Sequence, residues 1–187
     1  MPEPNTIKPG KRIAVLGTSG AGKTAVAQRL SDVLDLTYIC SDAIYWGPDW
    51  TENPPDQRLA EYDKATLAEA WTFDGNVDGL SDDKGTLILQ RADTLVWLDL
   101  PRHQVFMQVL RRTIRRVWTK KPMWHNNRES WRLSFFSRDS ILLWSMQTFA
   151  RRRRQYATLF ADPRYAHLIR IRLSSRQEVD RWLAHLS

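Results

Sequence analysis

The 187-residue sequence predicts an α/β fold, a five-stranded parallel sheet with helices on both faces. Three observations predict it. Short apolar runs alternate with longer segments of helical periodicity along the whole chain, the order expected of strands joined by right-handed helical crossovers. Runs such as Thr94-Leu95-Val96-Trp97-Leu98 are apolar without alternation, as strands covered on both faces require. The first apolar run leads through a glycine-rich turn, Gly17 to Thr24, directly into a helical segment.

The elements follow in order. Residues 1–10 hold three prolines and read as a disordered tail, and residues 11–187 as one domain. Residues 11–16 form the first strand, and residues 25–34 the first helix, with Ala25, Val26, Leu30, Val33 and Leu34 at helical spacing. Residues 36–40 are the second strand, ending at Ser41-Asp42. Asn53-Pro54-Pro55-Asp56 starts a helix whose periodicity continues over 57–70. Trp71-Thr72-Phe73 is the third strand, ending at Asp74-Gly75-Asn76, and a short helix is expected around Leu87-Ile88-Leu89. Asp99-Leu100-Pro101 stops the fourth strand and starts a helix over 102–118. Residues 120–131 read as a basic, aromatic loop, 138–160 as a long helix and 167–173 as the fifth strand. A closing helix over 176–186 takes Ser175 as its N-cap.

Composition narrows the function. No apolar run approaches the about 20 residues that span a bilayer, and Met1 to Thr6 lack a signal-peptide pattern, so a cytoplasmic protein without a membrane partner is expected. The single cysteine, Cys40, excludes an internal disulfide and a cysteine-rich zinc site, and the four histidines lack metal-ligand spacing. Charge is divided unevenly. Residues 1–101 carry nine Lys/Arg against sixteen Asp/Glu, and residues 102–187 nineteen against five. The basic half is suited to phosphates, of nucleotides or of nucleic acid.

Gly17-Thr18-Ser19-Gly20-Ala21-Gly22-Lys23-Thr24 fits G-x-x-x-x-G-K-[ST], the phosphate-binding P-loop or Walker A motif. Glycines let backbone N–H groups approach phosphate oxygens, and the following helix adds open N–H groups and the positive end of its dipole. Lys23 reaches β- and γ-phosphates, and the Thr24 hydroxyl suits Mg²⁺. Asp42, Asp74 and Asp99 each follow a strand, and ligands bind beyond the carboxyl ends of strands in open α/β sheets. Asp42 and Asp74 are therefore candidates to hold a Mg²⁺-bound water or accept a proton, whereas Asp99, beside Pro101, reads as a helix start. Arg111, Arg112, Arg115 and Arg116 form two pairs at four-residue spacing, suited to neutralising a transferred phosphoryl group. Arg151 to Arg154 read as a solvated charge run. Trp46 and Trp50 either wall an acceptor pocket or pack structurally.

With these residues in place, the chain resembles small adenylate-kinase-like P-loop proteins, often described as topology-modulation proteins or predicted nucleotide kinases. The resemblance spans roughly residues 12–186. It rests on the P-loop, on Ser41-Asp42-Ala43-Ile44-Tyr45-Trp46-Gly47-Pro48-Asp49-Trp50, on Trp71-Thr72-Phe73-Asp74-Gly75-Asn76, on Ala92-Asp93-Thr94 through Asp99-Leu100-Pro101, and on Asn127-Arg128-Glu129 and Ser137-Arg138-Asp139-Ser140. It implies a P-loop NTPase fold of the nucleotide-kinase kind, with a helical lid insert over about 111–154. It also implies ATP or another nucleoside triphosphate, with Mg²⁺, as cofactors. By the same resemblance Asp74 holds the Mg²⁺ hydration shell, Asp42 lies at the acceptor, and Arg111, Arg115 and Arg128 contact the transferred phosphate. Adenylate kinases stack an arginine on adenine nine residues after the strand-four Asp, where this chain has Gln108. That role passes to Arg111 or Arg112, and the base preference stays open. The expected activity is transfer of the γ-phosphoryl of ATP to a small hydroxyl- or phosphate-bearing acceptor, such as a nucleoside or nucleotide. The alternatives are a nucleic-acid-associated NTPase and a nucleotide-binding regulator with little turnover.

Overall fold

Strands β1 (Arg12–Gly17), β2 (Thr37–Cys40), β3 (Trp71–Asp74), β4 (Thr94–Leu98) and β5 (Ile169–Leu173) pair in parallel in the order β2-β3-β1-β4-β5. The structure is a computed structural model and describes residues 6–77, 83–119 and 141–186. Seven α-helices occur among them: α1 (Lys23–Leu34), α2 (Ser41–Tyr45), α3 (Pro55–Ala65), α4 (Asp83–Arg91), α5 (Arg102–Thr119), α6 (Ile141–Ala161) and α7 (Arg176–His185). β1 lies at the centre, and the chain returns past it between β3 and β4. The carboxyl ends of β1 and β3 therefore open onto a shared crevice.

Side chains alternate across each strand, and both sets are apolar, so the sheet needs cover on both faces. Ile13, Val15, Val96, Leu98, Ile171 and Leu173 pack with Val26 and Leu30 of α1, Val105 and Val109 of α5, and Trp182 of α7. Ala14, Leu16, Leu95, Trp97, Trp71 and Phe73 pack on the other face with Tyr62 of α3, Ile88 and Leu89 of α4, and Tyr156 and Leu159 of α6. Each large apolar side chain fully buried in this way contributes roughly 1.5–3 kcal/mol. The five-stranded parallel sheet with helices on both faces is thus the fold expected from the sequence. No helix among the described residues is long and apolar enough to cross a membrane.

Several local expectations change. The N-terminal tail is anchored before residue 11: the Trp182 indole donates to the Ile7 carbonyl at 2.9 Å, and the Gly10 N–H donates to Thr94 Oγ1 at 2.8 Å. Helix α3 stops at Ala65 rather than continuing to 70. Its exit is held by Arg91, which donates to the Asp63 carbonyl and to Thr66 Oγ1. The basic loop over 120–131, with Arg128 in it, lies outside the described residues, as does much of the expected lid.

Asp99 is not a helix start. Helix α5 begins after Pro101, whose carbonyl accepts from the N–H groups of Gln104 and Val105. The Asp99 carboxylate is only 2% exposed and lies between two guanidiniums. Arg153 of α6 donates to both its oxygens, at 2.6 and 3.1 Å, and Arg172 of β5 donates from the other side. Arg172 also lies 4.8 Å above the Trp97 ring. A buried carboxylate needs such partners, and here they fasten α6 to the sheet.

Candidate active site

The loop between β1 and α1 is shaped by glycines in the left-handed region, Gly20 at φ 87° and Gly22 at φ 92°. A Cβ on Gly20 would fall 2.1 Å from a methyl of Val109, so the loop lies directly against α5. Gly22 caps α1 without a side-chain hydrogen bond, and no acidic residue occupies the first turn. The N–H groups and positive dipole end of this 12-residue helix are therefore left for an anion. Thr24 is exposed on that first turn and Ser19 is half-buried, while Thr18 and Ala21 are buried, the Ala21 N–H closing on the Thr18 carbonyl at 3.0 Å.

Lys23 folds back on the loop, donating from Nζ to the Gly17 carbonyl at 2.9 Å and the Thr18 carbonyl at 3.3 Å. Burial lowers its pKa; Asp74 and then Asp42 oppose the shift, while Arg112 and Arg152 add to it. These four charged groups thus all lie within electrostatic reach of one ammonium. The structure brings together the P-loop lysine, both strand-end carboxylates and two arginines from separate helices.

Asp74, at the end of β3, is buried, and it accepts a hydrogen bond from the Tyr38 hydroxyl of β2 at 2.9 Å. Burial raises the Tyr38 pKa, and the Asp74 charge raises it further, so the phenol stays a donor. Gly75 is required behind it, since a Cβ there would meet Ser41 Cβ at 2.4 Å and the Phe73 ring at 2.8 Å. This close approach brings α2, and with it Asp42, up to the end of β3. Asp42 keeps solvent access on one side, but protein crowds the other, and the lost hydration raises its carboxyl pKa. Lys23 opposes that shift, and Asp74 reinforces it. A carboxylate with a raised pKa is a better proton acceptor.

The sequence-predicted arginines separate. Arg112 is half-buried and acts on both Lys23 and Asp42, whereas Arg111 and Arg115 are exposed. The Arg116 side chain and Arg128 lie outside what the structure describes. Arg152, from the stretch expected to be a solvated charge run, is instead half-buried and within electrostatic reach of Lys23. It also hydrogen-bonds Tyr156 one turn on, whose hydroxyl donates to Asn76 Oδ1 at 3.1 Å. The spacing of Arg152 and Tyr156 by four, with an aromatic just after the basic run, was the available signal. Gln108 and Arg176 flank Gly22, at 3.7 and 3.9 Å from where a Cβ would stand.

Two further expectations resolve. Trp46 packs edge-on to Tyr45 and Trp50, with ring centroids 4.8 and 5.7 Å apart, favouring the packing role over a pocket wall. The turn between them places Asp49 and Trp50 both at positive φ, 53° and 57°, a conformation costing L-residues roughly 1–2 kcal/mol each. Burial raises the Cys40 thiol pKa, which keeps it in the unreactive form.

Among the described residues no group of three or more His, Cys, Asp or Glu residues can hold a metal ion. A Mg²⁺ that arrives with a nucleotide needs only one or two protein groups, because phosphates and waters complete its shell. Thr24 and the buried Asp74 are the groups suited to it.

No protein-family model matches the chain. An uncharacterized protein of Bacillus subtilis (strain 168), YqaC, is 33% identical over 95 residues, 49% of this chain and 51% of that protein. The matched stretch thus spans about half the length of the curated relative. A shikimate kinase from Bacteroides thetaiotaomicron superposes with a TM-score of 0.57 at 13% identity, over 94% of this chain and 96% of that one. A gluconokinase from Sinorhizobium meliloti 1021 superposes with a TM-score of 0.51 at 17% identity, over 95% and 91% of the two chains. The chain has the fold of P-loop kinases over nearly its whole length.

Proposed function

We propose that this chain is an ATP- and Mg²⁺-dependent phosphotransferase acting on the hydroxyl of a small molecule. The observation that carries the reading is the convergence of Lys23, Asp42, Asp74, Arg112 and Arg152 on one crevice beside the P-loop. In this scheme the loop N–H groups and Lys23 cradle the triphosphate, Lys23 leaving its own loop carbonyls to do so. Asp42 accepts the proton of the acceptor hydroxyl as its oxygen bonds to the γ-phosphorus and the bond to the β-phosphate oxygen breaks, releasing ADP. Arg112 and Arg152 neutralise charge spread over the transferred group, where fixed donors are most effective. Thr24 and Asp74 hold Mg²⁺ and its waters. When bound, Mg²⁺ supplies charge neutralisation across the phosphates.

The shikimate kinase and gluconokinase of the same fold support a small hydroxyl-bearing acceptor. The narrower resemblance to adenylate-kinase-like topology-modulation proteins keeps nucleosides and nucleotides among the acceptors to test. Arg153 is committed to Asp99 and Arg152 is half-buried, so two of the four arginines in that run are less available to a nucleic-acid surface. The experiment is a screen of polyols, sugar acids, nucleosides and nucleotides for acceptor-dependent ADP formation, with Lys23→Ala as control. One class should stimulate ADP release in the wild type alone. No stimulation by any class, with ATP affinity unchanged in Lys23→Ala, refutes the proposal.

A further inference from the structure

Away from the crevice, α6 borders a cavity of about 370 Å³, within the size range of small-molecule sites. Arg151 and Arg154 line it, both exposed and neither with a carboxylate partner among the described residues. A third guanidinium, Arg164, also lines it, but is held by Asp162 at 2.6 Å. Among its described lining residues positive charges therefore outnumber negative ones. Val77 and Leu159 give it an apolar floor.

Tyr165 also lines this cavity and is only 3% exposed; its hydroxyl is closed off from solvent and has no hydrogen-bond partner among the described residues. Leaving a buried hydroxyl unpaired is unfavourable. Burial raises its pKa, with Arg164 opposing the shift, so the group remains a donor. Two exposed arginines without carboxylate partners among the described residues and an apolar floor together describe a receptor for an anion on an apolar body. Arginine forks match phosphate oxygens two at a time, which favours a phosphate over a single carboxylate.

We propose that this cavity is a second ligand site, separate from the P-loop, that binds a small organic phosphate monoester with a ring-sized apolar body. The site does not depend on the phosphotransferase reading, since none of its lining residues belongs to the Lys23 cluster. Tyr156 lies between the two, lining the cavity while its hydroxyl holds Asn76.

The test is calorimetric titration of the full chain with phenyl phosphate, inorganic phosphate and phenol. Phenyl phosphate is expected to bind about tenfold or more tightly than inorganic phosphate, because the apolar floor adds burial of the ring. Phenol, which lacks the charge, is expected not to bind. Lys23→Ala should leave phenyl phosphate affinity within about twofold, while Arg151→Ala with Arg154→Ala should weaken it about a hundredfold by removing two charge-assisted contacts. The arginines are exposed, so their variants are expected to fold. The proposal is overturned if phenyl phosphate does not bind at millimolar concentration, or binds no better than inorganic phosphate. Loss of its binding in Lys23→Ala, or unchanged affinity in the arginine double variant, overturns it equally.

Discussion

Gly20 and Gly22 offer a matched pair of perturbations in the same loop. Both have positive φ, 87° and 92°, so alanine at either position carries the same backbone penalty of roughly 1–2 kcal/mol. They differ in space. The Gly20 Cβ would lie 2.1 Å from Val109 Cγ2 and 3.1 Å from the Val105 carbonyl, whereas the nearest atom to a Gly22 Cβ is Gln108 Oε1 at 3.7 Å. Val109 is fully buried, and its branched side chain has one strongly preferred helical rotamer, so the loop has to move instead. Overpacking of this kind adds about 1–3 kcal/mol. Gly20→Ala should therefore destabilise the protein by about 2–5 kcal/mol and Gly22→Ala by about 1–2. Urea unfolding of both variants measures the difference, and calorimetric titration with Mg²⁺ and ATP measures what loop displacement does to the phosphate cradle. Gly20→Ala should lose most nucleotide affinity. Equal destabilisation by the two alanines would refute the close packing of the loop on α5, and unaltered ATP affinity in Gly20→Ala would refute its role as the cradle.

Three other perturbations separate the roles assigned above. Arg152→Ala should lower turnover about a hundredfold or more while ATP affinity changes little, as expected of a donor that matters in the transition state, whereas Arg111→Ala and Arg115→Ala should change turnover by less than about threefold. Steady-state kinetics decides, and equal losses at all three positions would make α5 and α6 a diffuse basic surface. Asp42→Asn should stabilise the fold at neutral pH, because a carboxyl whose folded pKa is raised loses its stabilising contribution as pH rises through that value. The gain should vanish below the ordinary carboxylate range, near about pH 4, while turnover falls at every pH; thermal melts across pH 3 to 8 check the sign. Arg153→Ala should cost about 1–2 kcal/mol, less than the full worth of two charge-assisted bonds because the side chain is 52% exposed. Arg153→Lys should recover only part of this, since an ammonium cannot span both Asp99 oxygens.

What could be read in the sequence was what depends on local chemistry and chain polarity. The P-loop is eight consecutive residues whose spacing is its geometry, and parallel strands bring their carboxyl ends to one edge, so Asp42 and Asp74 could be placed beside Lys23 without a structure. The arginines could not be placed in this way. Which side of a helix turns inward depends on how the helix docks, and docking is set by contacts distant in sequence. Asp99 meets Arg153 across 54 positions and Arg172 across 73, and Tyr156 meets Asn76 across 80. Composition alone makes Arg151 to Arg154 one basic patch. Successive helical residues lie about 100° apart, however, so once Arg153 is bonded to Asp99 the others must point elsewhere. Arg152 comes within electrostatic reach of Lys23, and Arg151 and Arg154 line the cavity beside Tyr165. The buried carboxylate at the end of β4 thus fixes one face of α6, and with it which neighbouring arginine comes within reach of Lys23.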